Sequence, residues 1–172
     1  MKDSVCLTHW LTTPLGPLEI GLDVSRPAEP FYQYIKFKTQ ETLADVMNVA
    51  QHELLSLAAD QLSQYFLGQR REFTELMPYF HHKGTEFQRR VWRALMEVSY
   101  GETRSYAELA KMLNNPKAVR AVGAANGKNS LAIVVPCHRV IGANGTLTGY
   151  AGGLDKKKWL LEFENPQSML RF

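Results

Sequence analysis

The run Val134-Val135-Pro136-Cys137-His138-Arg139-Val140-Ile141-Gly142 constrains this chain more than any other stretch. Its ends are apolar and ask for burial, yet its middle places a nucleophile, a base and a cation in consecutive positions. Pro136 fixes φ and removes a backbone donor immediately before them, so the run marks a corner. Cys137 alone reads equally well as a small buried hydrophobe. Reactivity needs a thiolate, and a neighbouring base or cation such as His138 or Arg139 lowers a thiol pKa toward neutrality. Adjacent side chains diverge in a regular strand, so a Cys137–His138 relay requires a turn or a bridging water.

The chain around this corner has 172 residues, 45% of them hydrophobic, enough for one ordinary domain or two small ones with an apolar core. The N-terminal MKDSVCLTHW lacks the apolar run of a secretory signal, and no segment approaches the roughly 20 apolar residues that span a bilayer. An intracellular, cytoplasmic location with no membrane partner is expected. Cys6 and Cys137 are far apart in unlike surroundings, so both are expected to be reduced. A net charge of +3 gives only mild support for a nucleic-acid partner, and local placement of the charges must decide.

Weak alternation over Cys6–Trp10, turn residues over Thr13–Pro17 and a renewed strand over Leu18–Leu22 predict a hairpin. Phe31–Phe37 reads as another strand. From about Thr42 to Phe66 the chain lacks Gly and Pro and carries Leu54, Leu55, Ala58, Leu62 and Phe66 at helical spacing, so it reads as a helix, with room for a break near its start. Phe73–Leu76 reads as a last short strand, and Met77–Gly84 as a linker between an α/β supporting domain, 1–80, and a second domain, 84–172. Thr85-Glu86-Phe87-Gln88 has the form of a capping box; the helix it opens presents Phe87, Val91, Trp92, Leu95 and Val98 and ends at Gly101.

Ser105–Leu113 reads as a short helix. Asn115 suits an N-cap and Pro116 the first helical position, so a second helix is predicted to begin there and run through Asn126. So tight a junction makes a helix-turn-helix or an ordinary helical hairpin. The second helix is mostly Ala and Gly, a slim rod for a narrow groove, with Lys117, Arg120 and Lys128 available to phosphates. It has few of the long polar side chains that read base edges in a major groove. Beyond the corner, Asn144-Gly145 predicts a hairpin turn, and a Gly-rich stretch through Gly153 offers exposed backbone to a planar ligand. It is no phosphate loop, since G-x-x-x-x-G-K-[ST] is absent. A final helix is predicted over Asp155–Glu164.

Taken together, GTEFQRRVW, SYAELA with NPKAVRAVGAANGKN, VVPCHRVIG and TGYAGG resemble the O6-alkylguanine-DNA alkyltransferases, or methylated-DNA–protein-cysteine methyltransferases, of the short bacterial constitutive type. The resemblance runs closely from about Gly84 to Glu164 and more loosely through TPLGPLEI. It implies an α/β fold: a small N-terminal α/β domain, ribonuclease H-like, and a mainly helical C-terminal domain with a winged-helix-like helix-turn-helix. It implies direct-reversal DNA repair in a single, irreversible turnover, with no cofactor and as a monomer. Duplex DNA is bound through the minor groove, O6-alkylguanine or O4-alkylthymine is flipped out, and the alkyl group passes to Cys137.

The resemblance also implies roles. His138 activates Cys137 through a water and is oriented by Glu164, while Asn129 braces the turn. Tyr106 donates to the departing base, the Ala151 N–H binds O6, the carbonyls of Cys137 and Val140 take the exocyclic amine, and Tyr150 lines the pocket. Arg120 enters the duplex in place of the flipped nucleotide; Lys117, Ala121, Ala124 and Lys128 complete the DNA face. Cys6, His9, His81 and His82 suggest a zinc site, but the matching second cysteine and second histidine are missing, so no metal is expected. A Cys-His hydrolase leaves the helix pair unexplained, a silent sensor would lack Cys137, and the chain is too short for a fused transcriptional regulator.

Overall fold

The computed structural model describes residues 5–39, 51–80 and 83–167. The chain clusters into two units, one of residues 1–81 with 130–132, the other of 82–129 with 133–172. The hairpin forms where the turn residues place it: β1 (Cys6–Thr13) pairs antiparallel with β2 (Gly16–Asp23). Thr13 Oγ1 donates to the Gly16 carbonyl at 2.6 Å, and Gly16 takes φ +98°, which a side chain would strain. β3 (Phe31–Phe37) adds antiparallel to β2. Alternation along β2 sends Leu18, Ile20 and Leu22 to one face, all fully buried. Helix α1 (Glu53–Phe66) contributes Leu54, Leu55, Ala58 and Leu62 to the buried core, each worth about 1.5–3 kcal/mol except the smaller Ala58.

One expectation for this unit reaches beyond the described residues and another needs correction. The described helix α1 begins at Glu53, where His52 is extended and its Nδ1 accepts the Leu54 N–H at 3.2 Å; the part of the expected helix over 42–50 lies outside the described residues. The strand expected over Phe73–Leu76 is instead a 3-10 helix, Thr74–Tyr79. Its backbone bonds locally, Leu76 N to Phe73 O and Phe80 N to Met77 O, and Pro78 removes a donor that a ladder would need.

The second unit opens with α2 (Glu86–Met96) under a complete capping box, Gln88 N to Thr85 Oγ1 at 3.2 Å and Thr85 N to Gln88 Oε1 at 2.9 Å. Val91, Trp92 and Leu95 are buried, and the Trp92 indole donates to the Ala125 carbonyl at 2.9 Å. The helix stops at Met96, short of Gly101, because Glu97 and Val98 bond three residues back and tighten the last turn. The two-residue strand β4 (Arg104–Ser105) leads into α3 (Tyr106–Met112), which has a second capping box: Glu108 N to Ser105 Oγ at 3.1 Å and Ser105 N to Glu108 Oε2 at 2.7 Å.

Helix α4 (Val119–Gly127) starts later than the sequence predicts, and its N-cap is Ala118, not Asn115. The two asparagines end α3 instead. Asn114 takes φ +56°, its N–H reaches Lys111 O at 2.9 Å, and the Asn115 N–H reaches Ala110 O at 3.0 Å. That is a Schellman stop with Asn in the usual glycine position. Pro116 and Lys117 then turn, closed by Ala118 N to Asn115 O at 3.0 Å, before α4 begins.

Past α4, residues 130–132 join the first unit, with Ile35 N to Ser130 O at 2.8 Å and Ala132 N to Ile35 O at 2.9 Å. Ile133 is 1% exposed at φ +70°, a conformation strained for a β-branched residue. Pro136 is followed by a 3-10 turn, Cys137–Arg139, and by β5 (Val140–Ile141), which pairs parallel with β4. The Asn144-Gly145 turn closes through Gly142 N to Thr146 O at 2.8 Å, but no second strand follows, so it is not a hairpin. Helix α5 (Leu154–Glu164) follows, opening after Gly153. Among the described residues no helix is long and apolar enough to cross a membrane.

Candidate active site

Cys137 begins the 3-10 turn, which removes the strand geometry that would have driven its side chain away from that of His138. The thiol is 7% exposed and unpaired with Cys6. Asn129 Nδ2 donates to Cys137 Sγ at 3.1 Å and to the Val135 carbonyl at 2.8 Å, so one amide braces both the sulfur and the backbone before Pro136. Burial pushes the thiol above its usual range, and the opposing pull of the Asn129 bond and the Lys157 charge is smaller. The lowering expected from His138 and Arg139 therefore does not prevail: the resting group at neutral pH is a thiol.

His138 is fully buried, and its Nε2 lies 2.8 Å from Glu164 Oε1. Burial lowers its pKa more than Glu164 raises it, with the Arg139 and Lys157 charges adding to the lowering. Burial alone would raise the Glu164 carboxyl, but His138 and Arg139 together hold it well below the usual carboxylate range. An ionised carboxylate only accepts, so His138 Nε2 carries the proton and Nδ1 carries the lone pair. Nδ1 has no partner among the described residues. The neutral imidazole is thus set as a base on its Nδ1 side, with an anion waiting behind it to stabilise the imidazolium.

Sequence reasoning placed Arg139 only as a cation beside the thiol, not as a partner of Glu164. The structure buries it and spends its guanidinium on Glu164, Nε to Oε2 at 2.8 Å and Nη2 to Oε1 at 3.0 Å, with Nη1 on the Val98 carbonyl at 2.6 Å. The Gly101 N–H adds a fourth donor to Glu164 at 3.2 Å. A side chain at Gly101 would place its Cβ 3.0 Å from the Glu164 carbonyl, so glycine is required by space as well as by its φ of +78°. Asn126 and Lys157, both buried, were also missed. Asn126 Nδ2 points at the Cys137 carbonyl, 3.4 Å away, and the Val140 N–H bonds the same oxygen, so that carbonyl already has donors.

The remaining predicted residues fall in two places. Tyr106 begins α3, half-buried, its hydroxyl donating to the Thr148 carbonyl at 3.2 Å. Val140 is buried, Tyr150 half-buried and Ala151 exposed. Burial, with the Cys137 and Glu164 charges, pushes the Tyr150 phenol well up, and its hydroxyl has no partner among the described residues. Lys117, Arg120, Ala121, Ala124 and Lys128 are all exposed, spaced as one face of α4 and its flanks, while Val122, Ala125 and Asn126 face inward. Among the described residues no group of three or more His, Cys, Asp or Glu side chains stands ready to hold a metal; His81 and His82 lie outside those residues.

Fold and site together define a thiol-bearing protein whose reactive turn follows a helix pair with a cationic outer face. Residues 86–166 match the family model described as 6-O-methylguanine DNA methyltransferase, DNA binding domain. A methylated-DNA–protein-cysteine methyltransferase of Methanosarcina acetivorans is 48% identical over 155 residues, 88% of this chain and 94% of that protein. The crystal structure of Mycobacterium tuberculosis O6-methylguanine methyltransferase superposes with a TM-score of 0.76 at 39% identity, covering 94% of both chains. That of Mycobacterium tuberculosis OGT in complex with DNA gives 0.75 at 42%, covering 92% of both. The chain belongs to the methylated-DNA–protein-cysteine methyltransferase family.

Proposed function

We propose that this protein repairs duplex DNA by taking the alkyl group of O6-alkylguanine, or of O4-alkylthymine, onto Cys137, once per molecule. The observation that carries this reading is the buried thiol on the Asn129 amide, beside a neutral imidazole whose outer nitrogen bonds an ionised glutamate.

The minor groove receives the exposed face of α4, whose Ala121 and Ala124 allow close approach while Lys117 and Lys128 reach phosphates. Extrahelical bases cost a few kcal/mol of unstacking, and Arg120 offsets part of it by occupying the gap. In the pocket, Tyr150 lines one wall, the Ala151 N–H meets O6, and the Val140 carbonyl takes the exocyclic amine. The Cys137 proton passes through a water to His138 Nδ1, and Glu164 stabilises the imidazolium. The sulfur lone pair forms the new S–C bond, the C–O6 bond breaks with its electrons staying on guanine, and the Tyr106 phenol supplies the hydrogen that neutralises the leaving base, regaining one through solvent as His138 gives up the proton taken from Cys137. The thioether has no easy return. The first unit, 1–80, supports the alkyl-acceptor and DNA-binding domain, 84–172, and the protein works as a cytoplasmic monomer without cofactor.

Peptide-resolved mass spectrometry after incubation with an O6-methylguanine duplex tests the reading. One added methyl on the Cys137 peptide, at one equivalent per chain, is expected. Modification of Cys6 alone, or none, would refute it.

A further inference from the structure

Lys157 is fully buried near the start of α5. A cation near a helix N-terminus opposes the macrodipole, so this position does nothing for the helix. Its Nζ donates to the Thr148 carbonyl at 2.7 Å and lies 5.9 Å from the Tyr106 ring centroid. An ammonium has three donors. Among the described residues no carboxylate pairs with it, although Glu164 on the same helix collects four donors from elsewhere. Burying an unpaired charge is strongly unfavourable unless an anion joins it. Helix α5, which carries Lys157, packs against the 3-10 turn of Cys137 and His138, and the Lys157 ammonium touches the Thr148 carbonyl and faces the Tyr106 ring of α3; its charge acts on both Cys137 and His138. Of these, only Cys137 must become an anion before the new bond can form.

We propose that Lys157 is the buried countercharge of the Cys137 thiolate, held on the Thr148 carbonyl at the edge of the base pocket so that the anion forms in its field. This deepens the reading of Cys137 as alkyl acceptor and rests on it. The two groups answer each other: burial lowers Lys157 to about 8 while Cys137 pulls it back up, and Lys157 draws down the thiol that burial raises. Thr148 has a second donor, the Tyr106 hydroxyl. With Lys157 on that carbonyl, Tyr106 can turn to the base without leaving the oxygen bare.

The test follows iodoacetamide labelling of Cys137 against pH by peptide-resolved mass spectrometry in the full chain, with Cys6 as internal reference. Lys157→Met keeps the apolar stem and removes the charge. Labelling of Cys137 at neutral pH is expected to fall about tenfold, one pKa unit, with Cys6 unchanged and the melting temperature equal or higher. Lys157→Arg is expected to restore part of the rate. Lys157→Gln, which keeps a donor for Thr148, covers the case in which the Met variant does not fold, and the same shift is expected of it. A Cys137 profile that stays in place in the folded neutral variant overturns the proposal, even if stability falls. Methyl transfer from the O6-methylguanine duplex on the wild-type sample separates the two readings. Methyl on Cys137 with an unshifted variant profile sinks only the countercharge, whereas no methyl on Cys137 sinks the acceptor reading beneath it.

Discussion

The two units bury charge in opposite ways. In the first, Glu19 is nearly buried, but Lys38 at 3.0 Å and Lys36 at 3.8 Å bring it partners that stay in contact with water. Asp23 settles on its own turn through the Ser25 N–H at 3.0 Å. In the second, Glu164, His138 and Arg139 are all out of water and satisfy one another. A carboxylate propped by solvated lysines is replaceable, because water fills in for either partner. One enclosed with an imidazole and a guanidinium is not, since removing any member strands the rest. The first arrangement suits a scaffold and the second suits a site that must control where one proton sits.

The sharpest way to break this contrast is at the thiols. Cys137→Ser is expected to abolish alkyl transfer and leave duplex binding nearly unchanged, while Cys6→Ser leaves transfer intact; a gel-shift and a single-turnover assay on the same samples decide it. Retained transfer in Cys137→Ser would move the nucleophile to Cys6 and erase the distinction between the units.

Next is Glu164→Gln, which leaves Arg139 buried without its anion and His138 without its countercharge. A loss of about 3–5 kcal/mol in chemical denaturation is expected, with transfer slowed at every pH. The sign with pH follows from the carboxyl's depressed pKa. Its stabilisation is complete above the unfolded glutamate value of about 4.3 and fades as pH falls further toward the folded value. The variant's stability should therefore be flatter than wild type across the acid range, and parallel curves would contradict the ionised assignment.

Arg120→Ala sharpens the comparison within the second unit, separating its outer face from its polar core. Repair of duplex DNA should slow by about 10–100-fold, the equivalent of a few kcal/mol of lost compensation for the flipped base. Reaction with free O6-benzylguanine should barely change. Equal losses on both substrates would point to folding instead. The smallest effect is expected from Glu19→Gln, about 1 kcal/mol or less in thermal unfolding, with transfer at the wild-type rate.

What could be read beforehand follows the same division. The Thr85 capping box, the hairpin around Pro14 and the Phe31–Phe37 strand depend on neighbours within a few residues, so local pattern sufficed. The Ser105–Glu108 box was equally local and lay unread in SYAE, although the helix it opens was placed. Asn115-Pro116 misled because two adjacent asparagines serve equally as a helix stop or a helix start, and αL at Asn114 decided for the stop. The strand over Phe73–Leu76 was lost to a 3-10 helix whose backbone bonds locally and which contains Pro78. At the site, the corner itself marked His138 and Arg139 as neighbours of the thiol and resemblance supplied Glu164, but nothing paired Arg139 with Glu164 or marked Asn126 or Lys157. Each looks like an ordinary polar residue until tertiary packing removes its water.

The pairing of residues 130–132 with Ile35 also sets an order of assembly. During synthesis from the N-terminus, β1 to β3 are complete long before Ser130 is made, so the receiving edge exists when that segment emerges. The closure joins residues almost a hundred positions apart, a long loop whose formation is slow relative to the helices around it. Expression of residues 83–167 alone would leave Leu131, 2% exposed in the whole chain, and its flanking backbone groups without a strand, immediately ahead of Ile133 and the reactive turn. Supplying residues 5–80 as a separate fragment would return that edge to residues 130–132.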